Sequence, residues 1–372
     1  MMKPACMMLL LSTAPVFAQT PLPDTRRTVG RDSSAILEKL AEGVYAIRHN
    51  SATPEWPNGN TGVVVGDNGV LVVDATYLPS RARKDIELIR TVTDKPIRYL
   101  VNTHWHGDHT HGNGVYRELF PDIEIVGAAG NDQWIATNQA RYPAAVLSGG
   151  NRQRATLAEQ ERTLTAGRDT AGKQISDEQK QTLQNSVRRR RNELEELRNV
   201  KVAPPTTLFE HQLTLQLGNR RVELRNWGRA NSPADVTIYV PDAQALFTGD
   251  IMVHPMPYVS GAFPLPWISV LKGLESLPVT ALVPGHGEVQ DDHTYTHNLR
   301  ELFEATRDRV RALMVQGTLM ADVIRSVDLS DFAPRLANGD AEYDEYARSW
   351  LGGPDGRLLI ERMHYCVQGY AC

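Results

Sequence analysis

Apolar residues in this chain cluster in short runs, each closed by glycine, proline or aspartate, and such runs read as buried strands. Val44-Tyr45-Ala46-Ile47 opens the series and Gly62-Val63-Val64-Val65 follows. Gly66-Asp67-Asn68-Gly69 then supplies a hairpin turn into Val70-Leu71-Val72-Val73-Asp74. Arg81 to Thr91 has helical spacing, with Ile86 and Ile89 on the inner face. A strand ending at Val101, a helix from Gly114 to Phe120 and a strand Ile123–Val126 continue the alternation, which predicts an α/β layered fold. Beyond Thr207 the pattern resumes with paired strands through Leu217 and Arg221–Trp227, then Val236–Val240, Ala245–Phe247 and Ala281–Val283. Helices are expected at Pro266–Leu277 and His293–Val315, with a helical tail beyond Leu319.

Residues 148–202 break this pattern. The stretch is highly charged and lacks aromatics, and Ile175, Leu183, Val187, Leu194 and Leu197 form a narrow helical stripe. Leu157 and Leu164 fall on an earlier arm, so a helical hairpin inserted between two halves of the fold is predicted. The run Arg188-Arg189-Arg190-Arg191 is followed by Glu193, Glu195 and Glu196 and reads as a solvated helix face.

The chemistry is concentrated at strand ends. His104-Trp105-His106-Gly107-Asp108-His109 packs imidazole and carboxylate, the ligands of zinc and similar metals, into one turn after Ile97–Val101. Two further strands deliver Thr248-Gly249-Asp250 and Pro284-Gly285-His286-Gly287. Strand ends that meet in one crevice are a common way for layered α/β proteins to build a site.

With these motifs in this order the chain resembles the metallo-β-lactamase superfamily, from about Gly43 to about Val289. The resemblance implies a four-layer αββα sandwich. It implies His104 and His106 as ligands of a first metal, Asp108, His109 and His286 as ligands of a second, and Asp250 as the bridging carboxylate. It also implies that Asp74 orients a ligand histidine by accepting its free ring N–H. One position departs from the family pattern: Asn231 stands where a third first-site histidine is usual, as in one branch of the superfamily. An amide oxygen is a weaker zinc donor than imidazole, so one metal and two metals per chain are both open, with zinc the expected ion. His111 is a candidate to compensate, as a ligand or a proton shuttle, or else stands behind the ligands without touching a metal or is simply solvated. His254 is a candidate for the pocket or for acid–base chemistry. Trp105, Tyr258 and Trp267 are candidates for lining an apolar pocket, or belong to the core. His49, His211, His293, His297 and His364 fit no ligand spacing and read as structural or solvated.

Composition adds compartment and partners. The 372 residues carry a net charge of −4, which offers no electrostatic case for nucleic acid. Lys3, the apolar stretch Cys6–Phe17 and Val16-Phe17-Ala18 read as a signal peptide cleaved after Ala18, too short to span a membrane. An extended leader over 19–35, a main domain over 36–316 and a helical tail over 317–372 follow. Cys366 and Cys372 either close a terminal loop in an oxidising compartment or remain free thiols. The expected function is that of an exported, periplasmic or secreted hydrolase. In it a zinc-bound hydroxide, held in line by Asp108 or Asp250, attacks a small lactone, thioester, ester or β-lactam. The alternatives are a non-catalytic metal-binding protein and a single-iron sulfur dioxygenase on the same fold.

Overall fold

The computed structural model describes residues 27–32, 34–49, 58–139, 141, 152–370 and 372. The predicted signal peptide and most of the predicted leader lie outside the described residues, as do positions 148–151 of the insertion.

Two sheets form the centre. The first runs in order β1 (Arg27–Arg31), β2 (Ala35–Ala41), β3 (Val44–His49), β4 (Thr61–Val65), β5 (Val70–Val73), β6 (Ile97–Val101), β7 (Glu124–Ala128) and β8 (Thr207–Phe209). It is antiparallel as far as β5 and parallel from β5 to β8. The second has the order β13 (Ala281–His286), β12 (Ala245–Val253), β11 (Val236–Val240), β10 (Arg221–Asn226), β9 (Gln212–Gln216), with only β12 and β13 parallel.

The period-two alternation of strands sorts their side chains into layers. Val44, Ala46, Leu71 and Val73 meet Ile238, Val240 and Phe247 in the core between the sheets. Tyr45, Ile47, Val70 and Val72 face the opposite way, onto Ile86 and Ile89 of α1 (Pro79–Arg90) and Val115 and Tyr116 of α3 (Asn113–Leu119). On the far side of the second sheet, Tyr239 and Leu246 pack against α7 (Pro264–Leu274) and α8 (Thr294–Val315). The result is the four-layer αββα sandwich.

Trp267 is wholly buried in that outer layer: its ring lies 5.0 Å from that of Phe303 and its indole N–H donates to the Ile251 carbonyl at 3.1 Å. It is a core residue and lines no pocket, because the apolar face of α7 points at the sheet. The tail forms α9 (Met320–Ser326), α10 (Ala333–Ala337), α11 (Ala341–Gly352) and α12 (Pro354–Val367), whose Val323, Leu336, Trp350 and Met363 join the same core. Cys366 and Cys372 are disulfide-bonded, with Cα atoms 5.1 Å apart.

Three expectations change. The fold begins before Val44, because Arg27–Arg31, expected in an extended leader, pairs antiparallel with β2. An edge strand flanked by arginines carries too weak an apolar alternation to stand out. Thr207–Phe209 closes the first sheet beside β7 rather than opening the second. In the insertion, α5 (Arg152–Ala166) and α6 (Asp177–Arg198) form the expected hairpin, and α6 begins with a capping box between Ser176 and Gln179. Arg190, however, is only 5% exposed, so the arginine run is not one solvated face. Leu197 packs beside Tyr77 and Leu78, and Glu196 accepts the Ser80 N–H at 3.0 Å, which satisfies a first-turn donor of α1. Among the described residues no helix is long and apolar enough to cross a membrane.

Candidate metal centre

The site forms where strands of both sheets end side by side. After β6 the chain enters the turn that carries His104 and His106, then the short helix α2 (Gly107–Thr110) with Asp108 and His109. Asp250 lies within β12 and His286 ends β13. Two groups of donors result: Asp108, His109, Asp250 and His286 in one, His104, His106 and Asp250 in the other, with ligand atoms in each within 4.8 Å of one another.

Asp250 divides its two oxygens between the groups. Oδ1 lies 3.2 Å from His109 Nε2 and 3.4 Å from His286 Nε2, whereas Oδ2 lies 3.7 Å from His104 Nε2. His286 Nε2 is also 3.0 Å from Asp108 Oδ2, and His104 Nε2 is 2.8 Å from His106 Nδ1. Donors at zinc bond lengths of ~2.0–2.1 Å in a tetrahedron stand about 3.3 Å apart, so these spacings suit such an ion.

The electrostatics point the same way. Burial by itself would raise the carboxyls of Asp250 and Asp108, yet the surrounding histidine rings hold both well below the usual carboxylate range. Burial works to lower His109, and the carboxylates of Asp108, Asp250 and Asp74 outweigh it and raise the ring well above its ordinary value. Burial lowers both His104 and His106; neighbouring rings add to the lowering of His104, whereas at His106 the Asp108 and Asp250 carboxylates oppose it without overcoming it. Buried like groups crowded this closely suit a cation that neutralises them together.

Asn231 is 1% exposed and sits in the turn before β11. Its Nδ2 donates to the Tyr258 carbonyl at 2.7 Å, while its Oδ1 is buried and has no hydrogen-bond partner. A buried amide oxygen without a partner is an atom that a bound cation would satisfy. The turn is held by Asp235, which accepts the N–H groups of Ala230 and Ser232 at 3.1 and 2.8 Å. Burial pushes the Asp235 carboxyl up to about 8, against the lowering effect of those hydrogen bonds.

Asp74 accepts from His109 Nδ1, the Thr103 N–H and the Thr103 hydroxyl, each at 2.8 Å. Its φ of 63° puts it in the left-handed region, which costs a non-glycine residue of order 1 kcal/mol and here turns the carboxylate beneath His109. Asp74→Ala is expected to weaken metal binding about tenfold to a hundredfold, by the measure of outer partners at other metal sites. Competition against a chromophoric chelator reads this directly, and an unchanged affinity would show that His109 holds its orientation without Asp74.

The remaining predicted residues separate. His111 belongs to neither donor group: it is 2% exposed and stacks on Tyr77 with centroids 5.0 Å apart, so it is neither a compensating ligand nor solvated. His254 is enclosed between Tyr295 and Tyr343, each ring 5.0 Å away, and burial pushes it down to about 4. Its backbone N–H donates to the His286 carbonyl at 3.1 Å, so it backs the ligand turn. Trp105 and Tyr258 flank His106, with ring centroids at 4.6 and 6.2 Å. Trp134, which the sequence pattern did not single out, extends the row at 5.6 Å from Trp105 and is 44% exposed. It ends α4 (Asn131–Trp134), immediately before a π-helical turn at Ile135–Gln139 of the sort often found beside functional sites. A lone tryptophan in a polar stretch carries no periodic signal.

Comparison with known proteins agrees with this architecture. A linear primary-alkylsulfatase from Pseudomonas sp. is 22% identical over 305 residues, 78% of this chain and 52% of that protein. The chain thus spans about half the length of this curated relative. Among solved structures, the stereoselective inverting sec-alkylsulfatase Pisa1 from Pseudomonas sp. matches with a TM-score of 0.59 at 16% identity, over 90% of this chain and 50% of that one. The DIM-1 metallo-beta-lactamase matches with a TM-score of 0.50 at 15% identity, over 73% of this chain and 97% of that one. The profile of the Metallo-beta-lactamase superfamily matches residues 54–286, well over half of the chain. With the sandwich, the histidine-rich turn and the strand-end Asp250 and His286 in that family's order, the chain belongs to the metallo-beta-lactamase superfamily.

Proposed function

We propose that this chain is a zinc-dependent hydrolase that holds two divalent cations, one at His104, His106, Asp250 and Asn231 and one at Asp108, His109, Asp250 and His286. The observation that carries the reading is the division of the Asp250 oxygens between the two histidine groups. Bound there, the cations would supply Lewis acidity that polarises an ester oxygen and activates water near neutral pH. The Asp108 side chain is 22% exposed and that of Asp250 only 3%, so Asp108 is the carboxylate that substrate and attacking water reach. Asp108 therefore orients the water, while Asp250 holds the two ligand groups in register. Trp105, Trp134 and Tyr258 offer an aromatic wall beside His106 for the apolar part of a substrate.

That wall, together with the similarity to an alkylsulfatase, favours esters with an apolar chain, sulfate esters first and lactones or thioesters next, over β-lactams. Turnover of a medium-chain alkyl sulfate, a lactone, a thioester and a β-lactam by the same preparation tests the order. Hydrolysis of the β-lactam alone would overturn it. Mass spectrometry of protein purified without added metal tests the centre: two zinc ions per chain are expected. One zinc would reduce the centre to the Asp108–His109–His286 group, one iron would favour oxygen chemistry, and no metal even after zinc is resupplied would sink the hydrolase reading. The signal-like N-terminus and the Cys366–Cys372 disulfide support export to an oxidising compartment. A mature protein beginning elsewhere than Gln19 in the exported fraction would contradict the cleavage site.

A further inference from the structure

Asp108 and His286 reach the centre from opposite sheets, and they stand 178 positions apart in sequence. Nothing in either strand by itself sets the distance between them. The segment leading into β4 lies against both. The Gly59 N–H donates to the Asp108 carbonyl at 3.2 Å. One residue later, the Asn60 N–H donates to the Gly285 carbonyl at 2.6 Å, and its side-chain Nδ2 donates to the carbonyls of Pro284 and Gly287 at 3.0 and 2.9 Å. Asn60 Oδ1 accepts the His49 N–H at 3.3 Å, and the residue is 4% exposed. One buried residue thus binds three carbonyls of the turn that carries His286, two through its side-chain amide and one through its backbone N–H.

The segment is itself anchored. His49, whose side chain is fully buried, faces the Gly59 carbonyl with Nδ1 at 2.7 Å and Asp85 Oδ1 with Nε2 at 3.0 Å. A carbonyl only accepts, so Nδ1 donates there. Asp85 also accepts from Thr61 Oγ1 at 3.0 Å and from Arg81 Nε at 2.8 Å, and Arg81 reaches Asp32 at 2.7 Å. Gly59 has no room for a side chain, since a Cβ there would stand 2.6 Å from His109 Nδ1. The strut therefore runs from a paired charge network under α1 to the backbone of both ligand turns.

We propose that Asn60 is a positioning residue of the metal centre, fixing the Asp108–His286 separation by holding the Pro284–Gly287 turn against the Asp108 loop. The proposal rests on the reading of Asp108 and His286 as ligands. Such outer partners typically command about tenfold to a hundredfold in metal affinity. The test is a Co2+ titration of metal-free protein, followed by the visible d–d bands, in wild type, Asn60→Ala, His286→Ala and Val64→Ala. His286→Ala identifies which Co2+ equivalent belongs to the second group. Val64, buried in the β4 strand that follows and outside these hydrogen bonds, reports the effect of merely loosening β4.

The expected result is that Asn60→Ala weakens the equivalent marked by His286→Ala about tenfold to a hundredfold and alters its bands, while Val64→Ala leaves both equivalents as in wild type. Equal binding and equal spectra in Asn60→Ala and wild type would overturn the proposal, as would a matching loss in Val64→Ala. A wild type that binds no Co2+ would instead overturn the ligand reading beneath it. If Asn60→Ala does not fold, Asn60→Asp replaces it: it keeps the size and the acceptor for His49 but loses both donated bonds, and the same loss is expected.

Discussion

Replacing Asp250 with alanine is expected to release metal from both donor groups and to lower hydrolysis at least about a thousandfold, beyond the tenfold to hundredfold that outer partners of metal ligands command. The reason is geometric. Asp250 is shared by both groups, with Oδ1 among Asp108, His109 and His286 and Oδ2 beside His104 and His106. Removing it leaves two histidines and the weaker Asn231 amide in one group, too poor a donor set to fix a cation, and deprives the other of the carboxylate nearest to His109 Nε2. Metal per chain after dialysis and turnover of the best ester substrate measure the effect. Unfolding of the metal-free variant separates loss of ligand from loss of fold. An Asp250→Ala protein that retained two metals and full turnover would remove the basis of the dinuclear reading.

Gly285→Ala is expected to do nearly as much without touching a ligand. A Cβ at Gly285 would run into Asp250 Oδ1 and stand 2.7 Å from the Gly249 carbonyl carbon, because β12 and β13 run side by side here, with Gly249 opposite Pro284 and the register shifting on either side of it. Backbone cannot yield there, so the Asp250 carboxylate must swing out of its position between the histidine groups. A displacement of about 1 Å in a catalytic constellation costs on the order of a hundredfold in rate. The overpacking itself costs roughly 1–3 kcal/mol of stability. The discriminating measurement is turnover alongside metal content: loss of both, in a protein that still unfolds cooperatively, is the expected pattern. Unimpaired turnover would mean that Asp250 is not held by the close approach of the two strands.

Both variants act at positions that can be picked out of the chain, since Asp250 and Gly285 sit in short motifs at the ends of apolar runs. The strut that carries Asn60 is different. Its hydrogen bonds join residues 224 and 227 positions apart, and Asn58-Gly59-Asn60 looks like an ordinary turn until the second half-sandwich is laid against it. His49 is similar: its spacing matches no ligand pattern, and only the fold brings Asp85 and Gly59 to its two nitrogens.

What the sequence determined by itself was everything encoded locally or periodically. The alternation of apolar strands specified the layers, because each strand must bury one face or both. The turn His104–His109 specified metal chemistry, because four such ligands in one turn have few other uses. Tertiary structure decided what depends on direction and distance. It turned His111 onto Tyr77, sealed Trp267 in the core, set Thr207–Phe209 at the edge of the first sheet and left Trp134 at the rim. It also left the Asn231 oxygen buried without a partner and placed Asp250 between two sets of histidines. Those outcomes follow from which sheet faces meet and how closely strands approach, and residue types along a chain do not carry that information.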